Sequence, residues 1–395
     1  MSVAMMAITS SLRSIKVKRL AVIAFTLSTL SFKCLQRPTM KKRILSNENQ
    51  RPNPLPLQPL TNAANEMHRM EDKFPVTEMI EKAGVPFDEK DFEDLPSQSS
   101  IEQLYGRGPY IHGLEMCEDF RKKNSGKEVM LATGGLFNTG TSFLRRLLSK
   151  NCQIGDVRED IWWKHSPAQW THKSEFSAHR PNQQTKFGVQ PYKHTEYIVE
   201  DGKGHIRYEP FYRNILPIIS MKDPFYWFSS MCRNRYSAKW GTSENFCPNL
   251  VPSVNTPDEN LSPEVDVYPG TPRTYGHPDI ESFHMKYDSL VHYWNQFYKG
   301  YLNAPFPRLI LRYEDVLFHT EEVVSQVCEC AGGTMNTEFE YVYSPRTTKK
   351  HGFLEAVIKY GRSDTRLEGL TGADIEFARK SLDLELMEKF RYHVP

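Results

Sequence analysis

The sequence predicts an α/β fold, a central parallel sheet flanked by helices. Three short apolar runs, at 129–133, 215–221 and 308–311, carry this reading. Each run stops at a glycine-rich or charged turn. Each turn is followed by apolar residues at helical spacing. Strands that alternate with helices are joined by crossovers, which makes them parallel. In such sheets ligands sit at the carboxyl ends of the strands, so the three turns are the places to look for chemistry.

The first run enters Gly134 and Gly135, and Phe143, Leu144, Leu147 and Leu148 then mark a helix over 141–149. The second ends at Lys222-Asp223-Pro224, with a helix expected over 227–236. The third ends at Arg312-Tyr313-Glu314-Asp315, with a helix expected over 321–330. Residues 247–278 are rich in Pro, Asn and Ser and read as an insertion loop. No internal repeat interrupts the order.

With 395 residues, Lys+Arg 50 and Asp+Glu 48, the net charge of +2 argues against a nucleic-acid binder driven by bulk charge. Aromatic residues at 12% are enough for a substantial core, and the negative mean hydropathy fits a soluble folded body. The seven cysteines (34, 117, 152, 232, 247, 328 and 330) include no CxxC pair and no zinc-finger spacing, so no metal is expected. They read as reduced or partly paired and do not fix the redox compartment. Cys328 and Cys330 lie on an amphipathic helix, where burial fits better than metal ligation. Asn260-Leu261-Ser262 is a sequon, but Pro263 after it disfavours glycosylation.

No acidic residue precedes Glu48, and Arg13, Lys16, Lys18 and Arg19 lead into an apolar run over 20–32. That run is shorter than the roughly 20 residues of a full span. A signal-anchor or secretory signal fits the basic start and apolar middle. A transit peptide fits the acid-free, Ser/Arg-rich composition, and a soluble tail is the bland alternative. The Pro-rich stretch 51–60 suits an extended spacer. The chain is therefore divided into a targeting segment (1–35), a stem or linker with one short helix near 76–83 (36–105), and a folded domain (106–395).

Gly135-Leu136-Phe137-Asn138-Thr139-Gly140-Thr141-Ser142 has the spacing of a phosphate loop, G-x-x-x-x-G-x-[ST]. Such a loop wraps a phosphate in backbone N–H groups at a helix N-terminus. Thr141 stands where a nucleoside-triphosphate loop needs Lys to reach the β- and γ-phosphates. That disfavours ATP chemistry.

Gly140-Thr141-Ser142-Phe143-Leu144 resembles the end of the 5′-phosphosulfate loop of the sulfotransferase family. Lys222-Asp223-Pro224, with Ser230 eight positions after Lys222, resembles its R-D-P-x-x-x-x-x-S element. Arg312-Tyr313-Glu314-Asp315 resembles its R-Y-E-D segment, for which a scaffold ion pair is expected. Residues 384–392 resemble its closing helix, and Tyr360-Gly361-Arg362 its basic loop over the 3′-phosphate. The resemblance implies the phosphate-loop sulfotransferase fold of the membrane-associated, carbohydrate-type branch. It implies 3′-phosphoadenosine 5′-phosphosulfate as sulfonate donor, a hydroxyl or amine acceptor on a small molecule or glycan, and no metal. Asn138, Thr139, Gly140, Thr141 and Ser142 would hold the 5′ end, and Lys222 and Ser230 the 3′-phosphate. Lys for the family's Arg keeps the charge but loses the bidentate fork.

Sulfonyl transfer needs a base for the acceptor's proton and a partner for charge on the leaving oxygen. The family's loop usually supplies Lys for the second task, and Asn138 stands at that position here. Lys164 and His165 lie 24 and 25 residues after Gly140, a spacing that allows return to the same sheet edge. His165 is the candidate base and Lys164 the candidate cation, with His172, His179, His194, His205 and Glu159 as competing bases. The resemblance also implies a Golgi membrane setting, single-pass with a lumenal domain. A cleaved targeting peptide to another organelle is the alternative. A divergent phosphate-loop kinase and a non-catalytic nucleotide-binding module are the competing functions.

Overall fold

Apolar side chains alternate along the central strands, and each set faces its own layer of helices. We describe residues 58–158, 165, 168, 196–200, 206–210, 214–242, 247–251, 262–267, 285–342 and 352–395 of a computed structural model. The strands are Ile111–His112 (β1), Met130–Gly135 (β2), Cys152–Gln153 (β3), Asp156–Arg158 (β4), Glu196–Glu200 (β5), Ile206–Pro210 (β6), Ile215–Met221 (β7), Ala238–Lys239 (β8), Val265–Val267 (β9), Met285–Tyr287 (β10), Leu309–Arg312 (β11) and Thr334–Met335 (β12). The central sheet runs β1-β11-β7-β2-β4. β11, β7, β2 and β4 pair in parallel, and β1 joins the edge antiparallel. The chain is thus a mixed α/β protein with a mostly parallel central sheet. A small antiparallel sheet β10-β9-β8 and the pairs β3–β12 and β5–β6 stand apart from it.

One face of the sheet buries Leu131, Leu216, Ile218, Leu309 and Leu311. Leu144, Leu147 and Leu148 of the helix Thr141–Asn151 cover it, with Val323, Val324 and Val327 of Thr320–Ala331. The other face buries Ile219, Met221 and Ile310 under Phe225, Trp227 and Phe228 of Pro224–Arg233 and Trp294, Phe297 and Tyr298 of Leu290–Leu302. Each such side chain contributes about 1.5–3 kcal/mol when fully buried.

Two boundaries differ from expectation. The second helix starts at Pro224 rather than 227, because Asp223 caps it by accepting from Phe225 N–H and Pro224 fits the first helical turn. The folded unit also begins well before 106. Residues 59–395 form one compact unit, and Gln58–Lys82 is a helix. Val76, Ile80, Leu95, Ile101 and Tyr105 lie in the same core as Phe225 and Trp294. Single apolar residues spaced along a polar stretch gave too weak a pattern to mark these helices as core. Within the expected insertion loop, β9 pairs with both β8 and β10. The apolar run at 20–32 lies outside the described residues, among which no helix is long and apolar enough to cross a membrane.

Six of the seven cysteines are paired: Cys117–Cys330, Cys152–Cys328 and Cys232–Cys247. Cys328 and Cys330 are buried, as expected of that helix. They are also bonded, on flanks of the helix some 200° apart, one to the helix Cys117–Lys123 and the other to β3. The Cys152–Cys328 bridge closes a loop with a sequence separation of 176. Replacing both of its cysteines by Ser should lower the unfolding free energy by about 2–5 kcal/mol. Urea unfolding of the oxidised protein, with the other two bridges intact, measures that loss.

Candidate functional site

The site is assembled by register. Gly135 of β2 lies opposite Ser220 of β7, and Met221 lies opposite Arg312 of β11. The three turns singled out in the sequence therefore emerge side by side at the carboxyl edge.

At the first turn, Gly135 has φ +149°, and the place where a Cβ would stand faces the Ser220 carbonyl oxygen and Thr139 Oγ1. A side chain there would collide with both, so the turn requires glycine. Asn138 (φ +63°) and Gly140 (φ +77°) are also left-handed. A side chain at Gly140 would run into the ring of Tyr313. Thr139 Oγ1 donates to Leu136 O (2.7 Å), and Ser220 Oγ donates to Thr139 O (2.5 Å), which closes the loop on β7. Thr141 and Ser142 begin the helix, whose first N–H groups have no carbonyl partner within the helix. Such a set of amides is suited to an anion.

Asn138 is tied to the second turn. Its side-chain amide donates to Asn234 O (2.7 Å) and approaches Met231 Sδ (3.3 Å). Trp227 Nε1 donates to Phe137 O (2.7 Å). Asn138 thus fastens the loop to the end of the helix Pro224–Arg233.

His165 does reach the loop. Its Nδ1 lies 2.8 Å from Gly135 O, and its ring packs on Phe137 with centroids 4.4 Å apart. A carbonyl only accepts, so Nδ1 donates its proton to Gly135 O, and Nε2 is the nitrogen that is basic whenever the ring is neutral. Phe137 also stacks with the exposed Tyr236 (5.4 Å). Lys164 and the competing bases His172, His179, His194, His205 and Glu159 lie outside the described residues.

Lys222 is only 4% exposed. Its Nζ donates to Tyr360 Oη (2.9 Å) and stands over the rings of Tyr313 (4.3 Å) and Tyr360 (4.6 Å). Ser230 Oγ donates to Tyr226 O (2.8 Å) and lies 3.4 Å from Arg233 Nη2, one turn on. Burial drives the Tyr360 phenol up, but Lys222, Arg233 and Ser230 together hold it below the ordinary phenol value. Arg362, the basic member of the Tyr360-Gly361-Arg362 element, pairs instead with Asp364 (2.6 Å) and Asp94 (3.8 Å).

The third turn is scaffold, as expected for Arg312. Its guanidinium grips Asp315 bidentately (2.7 and 2.6 Å), and both groups are buried. Asp223 pairs with Arg366 (2.8 Å). Between them, Glu314 accepts from Asp223 N–H (3.1 Å) and from Tyr392 O–H (2.9 Å). Burial, then the neighbouring Asp223, push the Glu314 carboxyl up to about 7 against the pull of Lys222.

Sequence reading does not find Tyr313, Arg233 or Glu314 as site residues, and it reaches Tyr360 only within the Tyr360-Gly361-Arg362 element, whose basic member is Arg362. Arg233 alone had a local signal, three positions after Ser230 on one helix face. Tyr360 stands 138 residues from Lys222, and no local pattern joins the two. Comparison of the chain with protein-family models, with curated proteins and with solved structures finds no match in any of the three.

An acid whose pKa is raised by folding holds its proton more tightly in the folded chain. Stability from Glu314 is therefore full below its ordinary value of 4.5 and falls as pH rises to about 7. Glu314→Gln keeps an acceptor for Asp223 and cannot ionise. It should match the parent near pH 4.5 and exceed it by about 3 kcal/mol at pH 8. Urea unfolding at the two pH values checks this.

Proposed function

We propose that the protein transfers a sulfonate group from 3′-phosphoadenosine 5′-phosphosulfate to a hydroxyl or amine acceptor, with carbohydrate the favoured class. The observation that carries this reading is the register of β2 and β7. It brings an amide-rich, Lys-free loop beside a buried cation that has no carboxylate partner among the described residues. Two adjacent anion sites of different depth suit a nucleotide bearing one anionic group at each end.

In this reading Leu136–Ser142 backbone amides, with Thr139 and Thr141, hold the 5′ end, and Lys222 and Ser230 hold the 3′-phosphate. The donor supplies a sulfonate whose S–O bond to the 5′-phosphate breaks as the acceptor oxygen or nitrogen attacks sulfur. His165, oriented by its Nδ1–H to Gly135 O, takes the acceptor's proton on Nε2. Asn138 positions the loop, and Lys164 is the proposed cation for charge on the leaving oxygen. The three disulfides favour an oxidising compartment over the reduced cytosol. They agree with a Golgi-lumenal domain on a single-pass anchor.

Thermal melts with 3′-phosphoadenosine 5′-phosphate and with ATP·Mg²⁺ rank the ligands, and stabilisation by ATP alone overturns the proposal. Radiolabelled sulfonate transfer into a panel of glycans and small hydroxyl and amine acceptors then separates an enzyme from a non-catalytic binding module. His165→Ala should cut transfer by about 10²–10⁴-fold while leaving the nucleotide-induced melting shift intact. Unchanged turnover in that variant excludes His165 as the base.

A further inference from the structure

The charges around Lys222 do not balance. No carboxylate forms an ion pair with it among the described residues, and its side chain's one hydrogen-bond partner is the Tyr360 hydroxyl. The acids nearby are committed elsewhere. Glu314 serves Asp223 N–H and Tyr392 O–H, and Asp223 serves Phe225 N–H and Arg366. A buried cation left this way is costly, and two aromatic faces recover only part of that cost.

Further positive charge converges on the same place. Arg233 is exposed, lies 3.4 Å from Ser230 Oγ, and forms no ion pair among the described residues. Lys359, on the helix that ends at Tyr360, reaches Glu368 only at 3.8 Å. Its pKa is lowered by burial first and then by Arg233 and Lys222, so the fields of the three cations overlap.

The hydrogen-bond directions show what is available to an incoming anion. Lys222 donates to the Tyr360 oxygen, which leaves the phenol proton to be donated onward. Ser230 spends its proton on Tyr226 O. Lys222 lacks a fork, and the guanidinium of Arg233 has one. Tyr360 is held from two sides, since Tyr105 O–H donates to its carbonyl (2.7 Å) and Tyr226 O–H donates to the carbonyls of Lys359 (3.0 Å) and Arg362 (2.6 Å).

We infer that Tyr360 and Arg233 are specificity-determining residues of the Lys222 site, together reading a phosphomonoester dianion, and that the Tyr360 phenol stands in for that anion when none is bound. The source of the phosphate, the 3′ position of the donor, rests on the function proposed above. The demand for a dianion rests on the charge balance alone.

The test uses the full oxidised chain and three probes: 3′-phosphoadenosine 5′-phosphate, 5′-AMP and inorganic phosphate. Calorimetry gives affinities for the parent, Tyr360→Phe, Arg233→Gln and Arg233→Lys. Each of the first two variants should weaken the bisphosphate about tenfold and leave 5′-AMP within about twofold, as expected for one charge-assisted hydrogen bond. Arg233→Lys should restore part of the loss. Arg233→Gln, at an exposed position, should melt like the parent without ligand and keeps the inference testable if Tyr360→Phe folds poorly. Selective bisphosphate binding unchanged in both variants overturns the inference and leaves the proposed donor standing. If the parent does not prefer the bisphosphate to 5′-AMP, but phosphate binds and weakens in both variants, the donor reading falls and the inference stands. Binding of neither the bisphosphate nor phosphate overturns both.

Discussion

The parallel pairing of β2 with β7 is the constraint on which the site depends. Ser220 shows how much passes through one position. Its hydroxyl closes the loop at Thr139, its carbonyl accepts from Tyr298 (3.1 Å), and its backbone leaves no room for a side chain at Gly135. A slip of one residue would exchange the two apolar sets of β7 between the helix layers and carry Lys222 away from Tyr313. Core packing and site geometry therefore select the same register.

The buried charges serve the closure of the chain upon itself. Arg312 bonds Phe390 O as well as Asp315, Arg366 bonds His393 O as well as Asp223, and Glu314 takes the Tyr392 hydroxyl. The C-terminal segment is thus pinned over the strand ends by charge-assisted bonds. Such pairs add little net stability over an apolar core, but removing one partner strands a charge and is severe. Their contribution is to fix where the last residues lie, and with them the helix that presents Tyr360.

Local pattern made the three strand ends legible. Apolar runs, glycine turns and a capping Asp-Pro are encoded within a few residues each. The resemblance then drew attention to Lys222 and Ser230, and spacing alone brought His165 to the loop. What remained hidden was encoded at a distance. The helices of 58–105 join the core through scattered residues such as Ile80 and Ile101, and the rings that face the Lys222 ammonium, Tyr313 and Tyr360, come from segments more than ninety residues away. The disulfides were hidden for the same reason, since helical spacing accounts for the burial of Cys328 and Cys330 without naming what they meet. Asn138 is a separate case. Asn in place of the Lys usual in the family that the sequence resembles reads as lost charge, and in the fold as a tether to Asn234.

The Cys117–Cys330 bridge also partitions mechanical load. Tension drawn along the chain from either end passes through its sulfurs and bypasses the intervening stretch, which holds β2, β7 and β11. The loop 135–142 and Lys222 lie within that unloaded stretch. Tyr360 lies beyond it, on the segment that takes the load. A pull on the C-terminus would therefore strip the phenol from Lys222 while the strands beneath kept their register.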